Sequence, residues 1–202
     1  MKIVVFCDMI EQSQESEADM ELQARNIANN KEAETKAKAL YLSAFPKEER
    51  VTWWLLSVSN RWRGVSVDTY YDGDTFCGFT HSIEIDDILF VTFFAVDGSL
   101  RAKGYGSAIL SHLKKKGRAI LLNVEPLLAD APNFEERERR CRFYEKNGFH
   151  DTGYYVYEIG GKFSIFSTSP TPLNVKTYKK VFRKMTFGFW NVKVVKAEEY
   201  GK

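Results

Sequence analysis

The stretch "LRAKGYGSAIL", residues 100–110, decides the fold because it joins two differently patterned segments. It follows "ILFVTFFAV" (88–96), a nearly continuous apolar run typical of a strand that is buried on both faces. It continues into "YGSAILSHLKKKG" (105–117), whose apolar residues recur on one helical face. The sequence therefore predicts a strand, a glycine-containing loop and a helix in direct succession.

The loop combines flexibility with positive charge where the helix begins. Arg101 and Lys103 are cationic, and Gly104 and Gly106 lack side chains. A helix N-terminus exposes unpaired amides and the positive end of the helix dipole, which together bind phosphate groups. The pattern predicts a phosphate or pyrophosphate cradle, although a tight turn explains the glycines equally well. It matches neither the dinucleotide nor the nucleoside-triphosphate fingerprint.

Working outward, the neighbouring segments are also strand-like or helical. A meander is predicted over residues 64–96, with a hairpin signal at "DGD" (72–74). Four later segments have clear patterns: a buried strand "AILLNVEP" (119–126), a charged helix (133–149) with Asn133 as its N-cap, a hairpin (152–169) turning at Gly160–Gly161, and a last helix (172–190) followed by a short segment (192–196). This order predicts a mixed α/β fold.

The N-terminal part predicts helices and a polar lead-in. Residues 2–6 are strand-like, and residues 11–36 are polar enough to form an exposed helix or a mobile segment. The segment 37–50 predicts an amphipathic helix that ends before Pro46. Residues 51–59 predict the next helix, with a strand as the alternative because of their β-branched and aromatic content. We therefore predict one domain over residues 37–202, preceded by a strand or helical lead-in over 1–36 that either joins the fold or stays outside it.

Composition limits the function classes. The 202 residues carry 29 basic and 27 acidic side chains, so no general attraction to polyanions is indicated. Three dispersed cysteines favour a reducing compartment, and no apolar run reaches the roughly 18–20 residues of a membrane span. The three histidines lack metal-ligand spacing. We expect a soluble cytoplasmic protein without a metal, a nucleic-acid partner or a membrane partner.

The segment "EERERRCRFYEK" (135–146) interleaves both signs of charge at helical spacing. Such a pattern favours a solvated, salt-bridged helix face over a nucleic-acid-binding patch. Within it, "RFYEKNGF" (142–149) places Tyr144 near a helix end, where its phenol either reaches a cleft or packs with Phe143 in the core.

The two motifs together resemble the GCN5-related N-acetyltransferase (GNAT) superfamily. Arg101, Gly104 and Gly106 match its acetyl-CoA pyrophosphate signature, and residues 143–149 match its later Tyr-Glu-Lys-Asn-Gly-Phe element. The resemblance covers roughly residues 37–170. It implies a twisted mixed sheet of about six or seven strands flanked by helices, with a V-shaped splay between strands 4 and 5.

The resemblance also implies site roles. Acetyl-CoA would be the co-substrate, and Tyr144 would protonate the departing thiolate. Residues implied in cofactor binding are the pyrophosphate loop Arg101, Ala102, Lys103, Gly104, Tyr105, Gly106 and Ser107, and the main chain of Phe94, Ala95 and Val96 along the pantetheine arm. An Asn that many relatives carry seven residues before the tyrosine is Arg137 here, so Asn133, one turn upstream, is its predicted substitute.

The fourth strand lacks the Glu that often serves the family as general base. Glu125, at the end of the fifth strand, is the first candidate, since a parallel sheet places its ligands at that edge. Pairing with a cation is an equally reasonable role for Glu125, and a water chain is another possible base. Other carboxylates considered are Glu48, Glu49, Glu84, Asp86 and Asp87.

Three functions stay open at this point. The first is N-acetylation of a small-molecule amine, with Trp53, Trp54 and Trp62 either lining an acceptor pocket or packing in the core. The second is acetylation of a protein or peptide amine, and the third is non-catalytic binding of an acyl-CoA. The chain is expected to be a monomer or a homodimer.

Overall fold

A computed structural model describes residues 20–158, 161–185 and 191–199. Its strands and helices are β1 (Gln23–Asn26), α1 (Lys31–Ala44), α2 (Trp53–Ser59), β2 (Val65–Asp72), β3 (Thr75–Ile85), β4 (Ile88–Val96), α3 (Tyr105–Lys114), β5 (Ala119–Val124), α4 (Phe134–Lys146), β6 (His150–Glu158), β7 (Gly161–Ser167), α5 (Val175–Met185) and β8 (Lys193–Lys196). Short 3₁₀ turns lie at Lys47–Glu49, Gly98–Leu100 and Ala197–Glu199.

The strands form one mixed sheet in the order β1-β2-β3-β4-β5-β7-β6-β8. The predicted fold class is confirmed, but the described sheet has eight strands instead of six or seven. The additional strands lie at the two edges, where β1 pairs with β2 and β8 pairs with β6. Because edge strands bury few side chains, their short polar sequences carry little of the apolar pattern that marks a strand.

The prediction left open whether the lead-in over residues 1–36 joins the fold. Residues 23–36 are part of the fold, since they form β1 and the first turns of α1. The helix begins at Lys31 because the Asn30 side chain accepts a 3.0 Å hydrogen bond from the Ala33 amide. The predicted strand at 2–6, Gly160 of the hairpin turn and residues 186–190 of the last predicted helix lie outside the described residues.

Helices cover both faces of the sheet. Helices α3 and α4 enclose one apolar cluster, which includes Leu89 of β4 and Leu122 of β5. Helices α1 and α2 pack on the opposite face. Helix α5 covers the part of that same face around Ile88 and Phe90, at the start of β4. All nine residues of β4 are buried, as its apolar run predicts.

Parallel strands β4 and β5 separate after three paired positions. Ile88, Leu89 and Phe90 face Ala119, Ile120 and Leu121, and beyond these β5 continues along β7. A register shift between β3 and β4 bulges β4 at Thr92, at the point where the strands part. An opening therefore lies between residues 91–96 of β4 and 122–124 of β5, which confirms the predicted splay.

No helix within the described ranges is long and apolar enough to cross a membrane.

Candidate active site

The predicted anion cradle lies at the N-terminus of α3, beyond the open end of β4. Gly104 caps the helix with a φ of +83°, a conformation in which glycine is not strained. The first helical hydrogen bond joins the Ala108 amide to the Gly104 carbonyl over 3.0 Å. The amides of Tyr105, Gly106 and Ser107 therefore precede the helical ladder, as anion binding at a helix start requires.

Side chains around the cradle leave its main chain accessible. The Tyr105 hydroxyl donates a 2.8 Å hydrogen bond to Asp72, so this ring turns toward the β2–β3 hairpin. Lys103 is exposed and Arg101 is partly exposed. A Cβ atom on Gly104 would lie 3.0 Å from the terminal methyl of Met20. Gly104 is thus a position where added bulk meets both strain and a neighbour.

The end of β4 presents one main-chain edge to the opening. Phe94, Ala95 and Val96 pair with β3 on one side, and all three lie past the last position paired with β5. The alternate side chains Phe94 and Val96 pack into the cluster beneath α3 and α4, whereas Ala95 packs toward α1. This edge is available to hydrogen-bond an extended ligand, as predicted for the pantetheine arm.

Tyr144 of α4 is fully buried. Its ring centroid is 5.2, 5.6 and 6.5 Å from those of Phe143, Phe149 and Phe166. The same cluster contains Phe94 of β4 and Val124 of β5, which flank the opening. The ring packs in the core, as the second interpretation of this tyrosine has it, in the same cluster as residues of both separated strands. Its role as proton donor stays a prediction.

Glu125 belongs to a buried ion cluster between β5 and α4. Its carboxylate accepts a 2.8 Å bond from Arg140 and a 3.2 Å bond from Arg137. Arg140 also donates to Glu136 over 2.7 Å. These contacts correspond to the cation-pairing role considered for Glu125, and its role as general base stays a prediction.

The charged helix is therefore only partly a solvated face. The exposed pair Arg142–Glu138 fits that prediction, with 2.8 Å between its charged atoms. Arg140 contradicts it, because its side chain is 1% exposed. Burial lowers the pKa of the Arg140 guanidinium, while Tyr144 and Glu125 raise it, and the result lies above the ordinary value. Helical periodicity could not predict this burial, because the carboxylate that pairs with Arg140, Glu125, lies outside the helix.

Asn133 occupies the position before α4, but its predicted capping bond is not formed to the helix amides described. Its side-chain oxygen instead accepts a 2.8 Å bond from Arg137 Nε. Arg137 also donates to the Pro126 carbonyl over 3.0 Å. Asn133 thus positions Arg137 at the mouth of the opening, and its contact with a cofactor stays a prediction.

The other carboxylates considered lie elsewhere. Glu84 and Asp86 are at the closed end of β4, where they pair with cations of α5 and of the α3–β5 loop. Asp87 is in the same β3–β4 turn. Glu48 is exposed and Glu49 is buried in the 3₁₀ turn after α1.

Two buried polar residues at the narrow end of the opening were not predicted. Asn123 of β5 accepts a 2.8 Å bond from the Tyr178 hydroxyl and donates to Glu158. Thr92 of β4 hydrogen-bonds His81, whose other ring nitrogen lies 3.0 Å from the Ser59 hydroxyl. A signal existed, because Thr92 and Asn123 are isolated polar residues within apolar strands.

His81 is buried, and this burial lowers its pKa to about 4. Its imidazole is therefore neutral near pH 7. It lies in the wall of a small apolar pocket between α2, β3 and α5. Trp62 also lines this pocket, whereas Trp53 packs in the core and Trp54 is 68% exposed.

Within the residues described, no group of three or more His, Cys, Asp or Glu side chains is placed to hold a metal ion.

Comparison with known proteins finds similarity to acetyltransferases. The acetyltransferase (GNAT) domain family matches residues 65–151, which run from β2 to the start of β6. The Bacillus subtilis (strain 168) protein YjbC, whose name places it among the acetyltransferases, is 29% identical over 116 residues. That match covers 57% of this chain and 51% of YjbC, so the chain spans about half the length of this relative.

Solved structures share the fold. A GNAT-family protein from Bacteroides thetaiotaomicron superposes with a TM-score of 0.66 at 24% identity, covering 84% of this chain and 99% of that one. An aminoglycoside 6'-N-acetyltransferase in complex with coenzyme A gives 0.60 at 18% identity, covering 76% and 100%. The ribosomal-protein-S18-alanine N-acetyltransferase from Escherichia coli gives 0.52 at 17%, covering 76% and 98%.

Proposed function

We propose that this chain, whose residues 65–151 match the acetyltransferase (GNAT) domain family, transfers the acetyl group of acetyl-CoA to a primary amine of a small molecule. The observation that carries the proposal is the opening between β4 and β5, with the amide cradle of α3 beyond it. One end of the opening suits a pyrophosphate, and Tyr144 belongs to the apolar cluster that includes Phe94 and Val124 on its two sides.

The residues present fit acetyl-CoA. The amides of residues 105–107 would hold the pyrophosphate, with Arg101 and Lys103 adding positive charge. The main-chain edge of Phe94, Ala95 and Val96 would pair with the amide groups of the pantetheine arm. The coenzyme A complex of a structural neighbour with the same fold supports this placement.

The proposed reaction is direct attack on the thioester. The amine nitrogen bonds to the carbonyl carbon and the carbon–sulfur bond breaks, while the nitrogen loses a proton and the sulfur gains one. Tyr144 would donate the proton to the sulfur, which leaves more easily as a thiol. A β4 amide aimed at the carbonyl oxygen would stabilise its developing negative charge. The rigid strands supply orientation.

The proton from the amine needs an acceptor. Both oxygens of Glu125 accept bonds from guanidinium groups, which favours a structural role for this carboxylate. We therefore propose that water in the opening removes the proton, with Glu125 as the alternative. Substitution of Glu125 by Gln separates them, since only a base at this position would contribute an acidic limb to the pH profile.

The small-molecule assignment is supported by aminoglycoside acetyltransferases, which match this fold with TM-scores of 0.60 and 0.57. A protein or peptide amine is the second candidate, because peptide-acetylating enzymes also match. Thiol release from acetyl-CoA, measured against amino acids, polyamines, aminoglycosides and N-terminal peptides, decides between them. Acetyl-CoA binding by calorimetry with no turnover on any amine would favour the non-catalytic alternative, and absence of binding would overturn the proposal.

A further inference from the structure

Arg140 is the largest of the fully buried side chains in the described chain. Burying a guanidinium is costly, and apolar residues of similar volume often stabilise a protein as well as a buried ion pair does. Packing α4 against β5 therefore does not by itself require a cation. A cation at this place calls for a second explanation.

The Arg140 charge is fixed from two directions. Glu125, at the end of β5, accepts from Nη1 over 2.8 Å, and Glu136, one turn earlier on α4, accepts from Nη2 over 2.7 Å. A guanidinium held by two carboxylates on different elements keeps one orientation. It needs no reorganisation when charge develops nearby.

Tyr144 lies one turn after Arg140 on the same helix. Residues four apart lie on the same helix face, so Glu136, Arg140 and Tyr144 form one stripe, in which Arg140 lies between the carboxylate residue and the tyrosine. The Tyr144 ring is held by Phe149 and Phe166. After burial, Tyr144 has the largest influence on the pKa of Arg140, which agrees with this proximity.

Other ionisable groups also act at this part of the helix, among them Glu138, Glu145 and Asp151, which influence the neighbouring Cys141 thiol. Glu125 comes from β5, whereas Glu136 and Arg137 come from α4. The Cys141 thiol is buried, and burial raises its pKa to about 11, so it is uncharged near neutral pH. β7 and the segment after α4 meet Tyr144 through phenylalanine rings. Arg140 is therefore the cation adjacent to the phenol.

We propose that Arg140 is a positioning residue for acetyl transfer: its fixed charge stabilises the negative charge that the Tyr144 hydroxyl and the departing sulfur acquire. This inference rests on the proposed function. As Tyr144 passes its proton to sulfur, charge moves from the thiolate to the phenolate oxygen, and the guanidinium one helix turn away would attract that charge on either atom. In a water-excluded site such a charge acts strongly.

The first test needs no acceptor substrate. Coenzyme A bound to the protein is titrated by the ultraviolet absorbance of its thiolate. Arg140→Gln should raise the pKa of the bound thiol by about one unit, a tenfold change in its ionisation constant, because a nearby opposite charge is lost. Arg140→Lys should keep most of the wild-type value. The matched control is Arg142→Gln, which removes an exposed cation of the same helix, paired with Glu138, and should leave the pKa of the bound thiol unchanged.

A second measurement uses turnover on the best amine. Arg140→Gln should lower kcat about tenfold with little change in KM for acetyl-CoA, because the charge acts on the transition state. It should also move the basic limb of the kcat–pH profile to higher pH. In a Tyr144→Phe background, the same change should cost little more, since the two residues act together.

If Arg140→Gln does not fold, Glu136→Gln provides a second variant, which should change the pKa of the bound thiol in the opposite direction. Removing this carboxylate leaves Arg140 bonded to Glu125 and should lower the pKa of the bound thiol. Equal thiol pKa values in wild type, Arg140→Gln and Glu136→Gln would overturn the inference while leaving the proposed function intact. Failure of the wild type to bind coenzyme A would overturn the proposed function itself.

Discussion

Glu125 and Arg140 join the end of β5 to α4 through a 2.8 Å ion pair, whose side chains are 12% and 1% exposed. The pair lies where β5 has already separated from β4, so the strand is held there by β7 and by α4. On one side of the opening, β4 is held by its pairing with β3. On the other side, the end of β5 is held by β7 and by the buried ion pair to α4.

Replacing Glu125 with Gln should destabilise the protein by about 3 kcal/mol, because it leaves the buried Arg140 with one carboxylate fewer. The free energy of unfolding from urea titration measures this. Glu138→Gln is the control, since it breaks the exposed pair with Arg142 and should change stability by less than about 0.5 kcal/mol. Equal losses for the two variants would contradict the buried role.

Gly104→Glu should abolish acetyl-CoA binding. The new side chain would place a carboxylate and its bulk at the start of α3, at a residue with a φ of +83°. Gly73→Glu is the matched control, because Gly73 has a φ of +56° but nothing within 4 Å of its Cβ position. Calorimetric affinity unchanged in Gly104→Glu, with the fold intact by circular dichroism, would refute the cradle.

Tyr144→Phe should bind acetyl-CoA normally but lower kcat about 100-fold, because the ring stays in its aromatic cluster and only the proton donor is lost. Phe143→Leu is a suitable control, since it changes the neighbouring ring and keeps the phenol. Thiol release under saturating acetyl-CoA measures both. Full activity in Tyr144→Phe would remove Tyr144 from the mechanism.

Much of the fold followed from local pattern. The bounds of β4 agree with its apolar run, the Gly117 and Gly148 positions after α3 and α4 have positive φ, and the hairpin turn after Asp72 is where "DGD" predicts it. These features depend on residues that are close in sequence. Edge strand β1 was missed because its burial is small and its partner, β2, is about 40 residues away.

In the candidate site, too, features set by neighbouring residues were predictable and features set by distant residues were not. The glycine loop is local, so its helix-start geometry was predictable from "RAKGYG". The environment of Arg140 was not, because its burial depends on Glu125, which is 15 residues away on another element. The network of Asn123, Glu158 and Tyr178 likewise joins three elements. Tertiary charge partners of this kind leave no periodic signal.

Gly78→Ala should destabilise the protein by about 2 kcal/mol, as overpacking at a tight contact does. A Cβ atom there would lie 2.4 Å from the Ala95 carbonyl oxygen and 3.1 Å from a methyl of Ile109. The end of β4 would be displaced, so acetyl-CoA affinity should also fall. Gly98→Ala is the control, because nothing lies within 4 Å of that position. Wild-type melting and affinity in Gly78→Ala would contradict the close packing of β3 on β4.

His81 should make folding sensitive to acid. Burial lowers its pKa in the folded protein to about 4, whereas the unfolded chain titrates near 6.5. Below pH 6.5 the unfolded state binds a proton that the folded state does not, so stability falls as pH falls toward 4. The full contribution of this residue is about 3 kcal/mol. It is present above pH 6.5 and lost by pH 4.

The matched variant is His81→Gln, which keeps a hydrogen-bonding side chain toward Thr92 and Ser59 without a titrating ring. Urea unfolding of both proteins at pH 7.0, 6.0, 5.0 and 4.5 gives the two slopes. The wild type should lose more stability than the variant across this range, because the carboxylates and His112 are common to both proteins and cancel in the difference. Parallel slopes would show that His81 takes up its proton equally in the folded and unfolded states.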